Sequence, residues 1–146
     1  MSEAPEDYVV IQQRSNKIVF SYSTALFFHN LIDRAPINIE ITIPQGYNAS
    51  RIKKTYPNLK VHYVKKELLY IGIESLTTPL GSNITVYNKE RCICDLIKDK
   101  NHIDKQIYID AIKAYFSHIQ NEHELIKISK LIGVEDEIRN YLEVMV

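Results

Sequence analysis

The segment Ile37-Asn38-Ile39-Glu40-Ile41-Thr42-Ile43 alternates apolar and polar residues at every step. A period of two belongs to a β-strand with one buried and one wet face, so this stretch commits the chain to a sheet. Pro44-Gln45-Gly46-Tyr47 ends the strand in a turn. The same alternation returns at Leu59, Val61 and Tyr63, and shorter β signals stand at Ile71 and Ile73 and at Ile84 and Val86. Gly81-Ser82-Asn83 between the last two reads as a hairpin turn. The middle of the chain is therefore expected to be a small, mixed sheet.

On either side the period changes. Asp7 is placed to cap a short helix running through Gln13, and Ile18-Val19-Phe20 is a brief apolar run. Ser21 is placed to cap a helix over 22–32, with Ala25, Leu26, Phe28 and His29 on one face. A short helix is predicted from Asn48 to Lys54, stopped by Tyr56-Pro57. From Asn88 onward the pattern is helical. Asn88 caps a helix containing Arg91 to Ile97, and Asp104 caps one carrying Ile107, Ala111, Ile112, Tyr115 and Ile119. A third stripe is Leu125, Ile128, Leu131 and Ile132, ended by Gly133, and a fourth is Ile138, Tyr141, Leu142 and Met145. The expected class is α+β: a small mixed sheet with flanking helices and a helical C-terminal half. Residues 1–7 read as a flexible tail or linker remnant, and 8–146 as one domain, the usual size for a single core.

Lys and Arg together number 18, as do Asp and Glu, so the formal net charge is zero. Attraction to nucleic acid or to an anionic membrane would then need a local patch. No apolar run approaches the roughly 20 residues of a membrane span, and the acidic start Met1-Ser2-Glu3-Ala4-Pro5-Glu6-Asp7 is no signal peptide. The two cysteines, Cys92 and Cys94, are too close for a useful disulfide, which favours a reducing cytoplasm. On a helix they turn nearly opposite ways and cannot share a metal, so both read as small apolar residues.

Motifs for catalysis are missing. The four glycines form neither a phosphate-cradling loop nor a dinucleotide fingerprint, and there is no Gly-x-Ser-x-Gly elbow. No Asp or Glu stands two residues before a Lys, as a common nuclease metal site requires. His118 and His123 lack the helical spacing of four, and His102 with Asp104 is a lone pair. No catalytic residue, metal or cofactor is expected.

The distinctive charge feature is Arg51, Lys53, Lys54, Lys60, Lys65 and Lys66, with no acid between Glu40 and Glu67 and with Tyr56, His62 and Tyr63 interleaved. Six cations on a short helix and the strand after it are expected to make one basic face for a phosphate backbone or an acidic partner. The alternative is a solvated face whose cations point in several directions. The stretch from Glu124 to Glu143 imitates a helix-turn-helix, but Glu135-Asp136-Glu137 would open the recognition helix and repel phosphates. It reads as an αα-hairpin closing the core.

Four segments in order carry a resemblance that spans residues 8–146. They are Phe20-Ser21-Tyr22-Ser23-Thr24-Ala25-Leu26-Phe27-Phe28-His29-Asn30-Leu31 with Asp33-Arg34 and Pro36; Ile41-Thr42-Ile43-Pro44-Gln45-Gly46-Tyr47-Asn48; Val86-Tyr87-Asn88-Lys89-Glu90-Arg91-Cys92-Ile93-Cys94-Asp95-Leu96-Ile97; and Asp110-Ala111-Ile112-Lys113-Ala114-Tyr115. Together they resemble the C-terminal domain of AbiEi-type antitoxins, the transcriptional regulators of type IV toxin–antitoxin (abortive-infection, phage-defence) systems. The resemblance implies antitoxin activity against a nucleotidyltransferase-like toxin, a functional partner that the antitoxin need not touch. Family members usually carry an N-terminal winged helix-turn-helix as well, which this chain is expected to lack. The motif residues His29, Arg34, Tyr47, Glu90, Arg91 and Asp95 are read as marks of the fold, with Arg91 expected to have a carboxylate or strand-end carbonyls as partner.

Three readings follow. The first is a non-catalytic antitoxin or regulatory domain that binds nucleic acid or an acidic partner through its basic segment. The second is a nuclease-like enzyme with a metal on Asp33, Glu40, Glu74 or Asp95. The third is a dimerisation module, a homodimer that only presents a missing winged helix as a dimer.

Overall fold

The computed structural model describes residues 5–145. The elements run α1 (Pro5–Gln13), β1 (Val19–Phe20), α2 (Tyr22–Phe28), β2 (Ile39–Pro44), α3 (Ser50–Thr55), β3 (Leu59–Val64), α4 (Lys66–Leu69), β4 (Ile73–Thr77), β5 (Asn83–Tyr87), α5 (Lys89–Lys98), a 3₁₀ turn (Lys100–His102), α6 (Lys105–Ser117), α7 (Glu122–Ile132) and α8 (Glu135–Met145). The class is α+β, with a mixed sheet followed by a helical half. The tail expected over 1–7 lies outside the described residues as far as residue 4, and residues 5–7 form the first turn of α1.

The sheet order is β3-β2-β1-β5-β4. β2 and β3 are parallel, as are β1 and β5, whereas β1–β2 and β4–β5 are antiparallel. Each face buries its own core. One face packs Ile39, Ile41, Ile43, Leu59, Ile84 and Val86 against Ile11 of α1 and Ile52 of α3. The other carries α2 and α5, over which α6, α7 and α8 close through Tyr115, Leu125, Ile128 and Ile138. Helix α5 is so enclosed that Glu90 through Ile97 are all buried. Cys92 and Cys94 are therefore both buried although they point apart, and burial pushes both thiols up.

The capping residues act as their types require. Asn88 accepts from the Arg91 N–H, Asp104 from those of Gln106 and Ile107, and Gly133 takes the left-handed conformation that ends α7. The structure shortens α2, expected to reach residue 32. Asn30 adopts a left-handed φ of 60°, and Leu31 N–H donates to the Leu26 carbonyl at 2.9 Å, a Schellman closure that ends the helix early. Ser21 occupies the N-cap position of α2 without making a cap bond.

The largest correction concerns β2. Its polar residues were expected to face water, yet all six positions are buried, and Ile37 lies outside the strand with 82% exposure. Helix α2 covers the Glu40 and Thr42 side of the strand. The interface between them is a hydrogen-bonded polar layer, which period-two alternation cannot tell from a wet face.

Candidate functional site

The polar layer begins at the start of α2. Ser21 is extended, and Tyr22 takes a φ of 50°, unusual for a bulky side chain and a local strain. That bend turns Ser23 and Thr24 onto β2. The Ser23 hydroxyl and backbone N–H both donate to Glu40 Oε2, the Glu40 N–H donates to Thr24 Oγ1 at 2.8 Å, and the Thr42 hydroxyl donates to Ser21 Oγ at 2.8 Å. From β3, His62 Nε2 meets Glu40 Oε1 at 2.7 Å, with its ring stacked on Tyr22 at 3.9 Å. The Tyr22 hydroxyl donates to Asp99. Burial alone would raise the Glu40 pKa. The hydrogen bonds from His62 and Ser23, with the positive field of His62 and Lys60, outweigh it and hold the carboxyl below its ordinary range.

This layer floors a cleft of about 420 Å³ between the loop 32–38 and the start of α6, with Arg34, Lys60 and His102 at its sides. The order of the groups matters for chemistry. A nucleophilic serine needs an imidazole between itself and the carboxylate. Here the carboxylate stands between serine and imidazole, so Glu40 holds both and His62 cannot take the Ser23 proton.

A second buried site lies under α5. Arg91 is 1% exposed. Its Nε donates to Asp95 at 3.0 Å, and one terminal nitrogen donates to the carbonyls of Leu68 and Ile71, both at 2.7 Å. The guanidinium lies 4.1 Å over the Tyr87 ring, whose hydroxyl donates to the Leu69 carbonyl at 2.6 Å. Arg91 and Tyr87 thus satisfy the carbonyls at the end of α4, a four-residue helix too short to hold itself. Gly72 permits the approach: a Cβ there would meet the Arg91 Cβ at 2.8 Å. Burial raises the Asp95 pKa to about 6 in spite of Arg91, while Asp95 outweighs burial on Arg91 and strengthens its charge.

The other motif residues are spread through the fold. His29 Nε2 meets the Tyr87 carbonyl at 2.8 Å, and Glu90 accepts from the Tyr115 hydroxyl at 2.9 Å, which ties α5 to α6. Tyr47 packs against the core beneath α3, and Arg34 is exposed at the cleft. Of the carboxylates weighed for a metal, Glu40 and Asp95 are bonded as above, Glu74 lies 4.0 Å from His29, and Asp33 is exposed at the cleft mouth. Among the described residues, no three His, Cys, Asp or Glu side chains come together as metal ligands.

All six cations of the basic segment are exposed. None has a carboxylate within ion-pair distance among the described residues. They do not share one face. Strand alternation sends Lys60 to the cleft side with Glu40 and His62, whereas α3, carrying Arg51, Lys53 and Lys54, packs on the opposite side of the sheet through Ile52. Lys65 and Lys66 follow the end of β3. What the six do share is the edge of the sheet, because β3 is its outermost strand. They form a basic rim around that edge, with Tyr63 half exposed among them.

Neither the family models nor the curated proteins compared with the chain match it. Among the described residues, no helix is long and apolar enough to cross a membrane.

The sequence signals missed the Ser21–Ser23–Thr24–Thr42 layer and the Tyr22 bend. The run Ser21-Tyr22-Ser23-Thr24 was the one available hint, because a helix start with four hydroxyls against a strand carrying Glu and Thr has matching polarity.

Proposed function

We propose that the chain is a non-catalytic antitoxin or regulatory domain of the AbiEi type, working in the cytoplasm and binding polyanions through the rim around β3. In this reading it counteracts a nucleotidyltransferase-like toxin, and nucleic acid is the ligand of the rim. The observation that carries the reading is the exposure of Arg51, Lys53, Lys54, Lys60, Lys65 and Lys66, none of which has a carboxylate within ion-pair distance among the described residues. The four ordered motif segments support the family assignment. The commitment of Glu40 and Asp95 to internal partners favours binding over turnover.

A rim of this kind meets phosphates and reads no base edges, so affinity should be salt-dependent and sequence preference weak. Reversing Lys53 and Lys54 to Glu together is expected to weaken binding to all sequences alike and to flatten the slope of log affinity against log salt by about two units. Stability should stay within about 0.5 kcal/mol of the parent, because both side chains are exposed. A fluorescence-anisotropy titration over a salt series reads the slope, and an unchanged slope in the double variant removes the rim from the account.

A further inference from the structure

The two edges of the sheet differ. Around β3 stand six cations, the usual guard against strand-to-strand association. The other edge, β4, reads Ile73-Glu74-Ser75-Leu76-Thr77 and holds no Lys, Arg or Pro. It is exposed at every position except the half-buried Leu76, and exposed Tyr70, Ile73 and Leu80 lie on or beside it.

Its backbone is open in a definite pattern. Thr78 N–H donates to the Ser82 carbonyl, and Asn88 N–H to the Gly72 carbonyl, both at 2.7 Å. With the register Ile73↔Tyr87 through Thr77↔Asn83, bonded and non-bonded pairs alternate along an antiparallel ladder. Glu74 and Leu76 therefore bond to β5. Ile73, Ser75 and Thr77 turn their N–H and C=O groups outward, where no further strand follows among the described residues.

We infer that β4 pairs with β4 of a second copy of this chain, antiparallel about a two-fold axis at Ser75, joining the two sheets into one. The sequence is self-complementary in that register. Ser75 faces its own copy, Ile73 faces Thr77 of the second copy, and Glu74 faces Leu76 of the second copy. Ile73 and Thr77 thus meet as an apolar, β-branched pair on one face, while on the other the two Glu74 carboxylates lie opposite Leu76 rather than opposite each other, so no like charges stand directly opposite. The same pairing at β3 would bring two cationic rims together. The formal net charge of zero leaves no overall repulsion between copies. The surface is separate from the basic rim, so the pairing stands or falls independently of nucleic-acid binding.

Light scattering across a concentration series tests it. The mass should rise from 17.0 kDa toward twice that value. Ser75→Lys places like charges directly opposite each other and should weaken the dimer by at least about tenfold, with the circular-dichroism spectrum unchanged because Ser75 is exposed. Ser75→Cys gives a positive readout: under mild oxidation the two thiols each yield one hydrogen to the added oxidant and join across the axis. Buried Cys92 and Cys94, with their thiols held protonated, stay unreacted. A chain that remains at 17.0 kDa throughout overturns the inference. So does a dimer that Ser75→Lys leaves intact, or one that Ser75→Cys fails to cross-link.

Discussion

Arg91→Ala is expected to lose about 3–5 kcal/mol of stability, the largest effect of any single substitution considered. The change removes a guanidinium that is 1% exposed and leaves three acceptors behind: the Asp95 carboxylate and the carbonyls of Leu68 and Ile71. An uncompensated buried carboxylate dominates that cost. The carbonyls release α4 and the turn before β4, which Arg91 and Tyr87 hold together. The penalty should depend on pH. The Asp95 pKa is already about 6 beside its cation, and without Arg91 it rises further, so acid neutralises the stranded group. Urea denaturation at several pH values checks this: the gap between variant and parent should narrow as the pH falls toward 6, where the variant's Asp95 is already protonated and the parent's is not, and stay constant below it. A gap independent of pH would mean that the lost carbonyl bonds, not the carboxylate, set the cost.

Glu40→Ala is expected to cost about 2–4 kcal/mol, because Ser23 N–H, the Ser23 hydroxyl and the His62 ring lose their common acceptor inside a buried layer. Glu40→Gln should cost about 1 kcal/mol, since an amide can accept from Ser23 and donate to a neutral His62. The two variants separate charge from shape. In the parent, the folded pKa of Glu40 lies below its ordinary 4.5. Its contribution is therefore present above pH 4.5 and is lost as pH falls through the folded value. Asp95 has the opposite sign. Its folded pKa of about 6 exceeds the ordinary 3.8, so its contribution is fully present below 3.8 and is lost as pH rises through 6. Glu40→Gln should flatten the acid limb of the stability profile and leave the Asp95 limb in place. An acid limb unchanged in Glu40→Gln would show that Glu40 carries no excess negative charge in the fold.

Periodicity and caps were the legible part of the fold. The Ile37–Ile43 alternation, of which the strand keeps Ile39 onward, the Gly81-Ser82-Asn83 turn, the Asn88 and Asp104 caps and the Gly133 stop each have a local cause that the structure shows acting. The misreadings arose where a distant partner decides. Thr42 and Glu40 read as wet because their partners, Ser21 and Ser23, lie about 20 residues earlier on another element. Helix α4 gave no signal, since its four residues are held by Arg91 and Tyr87 from α5 and β5. Charge spacing located the basic segment but not its division, because only the sheet register reveals that Lys60 and α3 lie on opposite faces. Arg91 was expected to find a carboxylate or strand-end carbonyls. It has Asp95 and carbonyls from α4 and the following turn.

The most direct measurement of binding without turnover is an incubation of the pure chain with labelled single- and double-stranded DNA and RNA in Mg²⁺ or Mn²⁺, read by anisotropy and then on a denaturing gel. The account predicts complexes at low salt that dissolve as salt rises, with every strand recovered intact. Cleavage that disappears in Glu40→Gln or Asp95→Asn would contradict it, and so would a chain that binds no nucleic acid at the lowest salt.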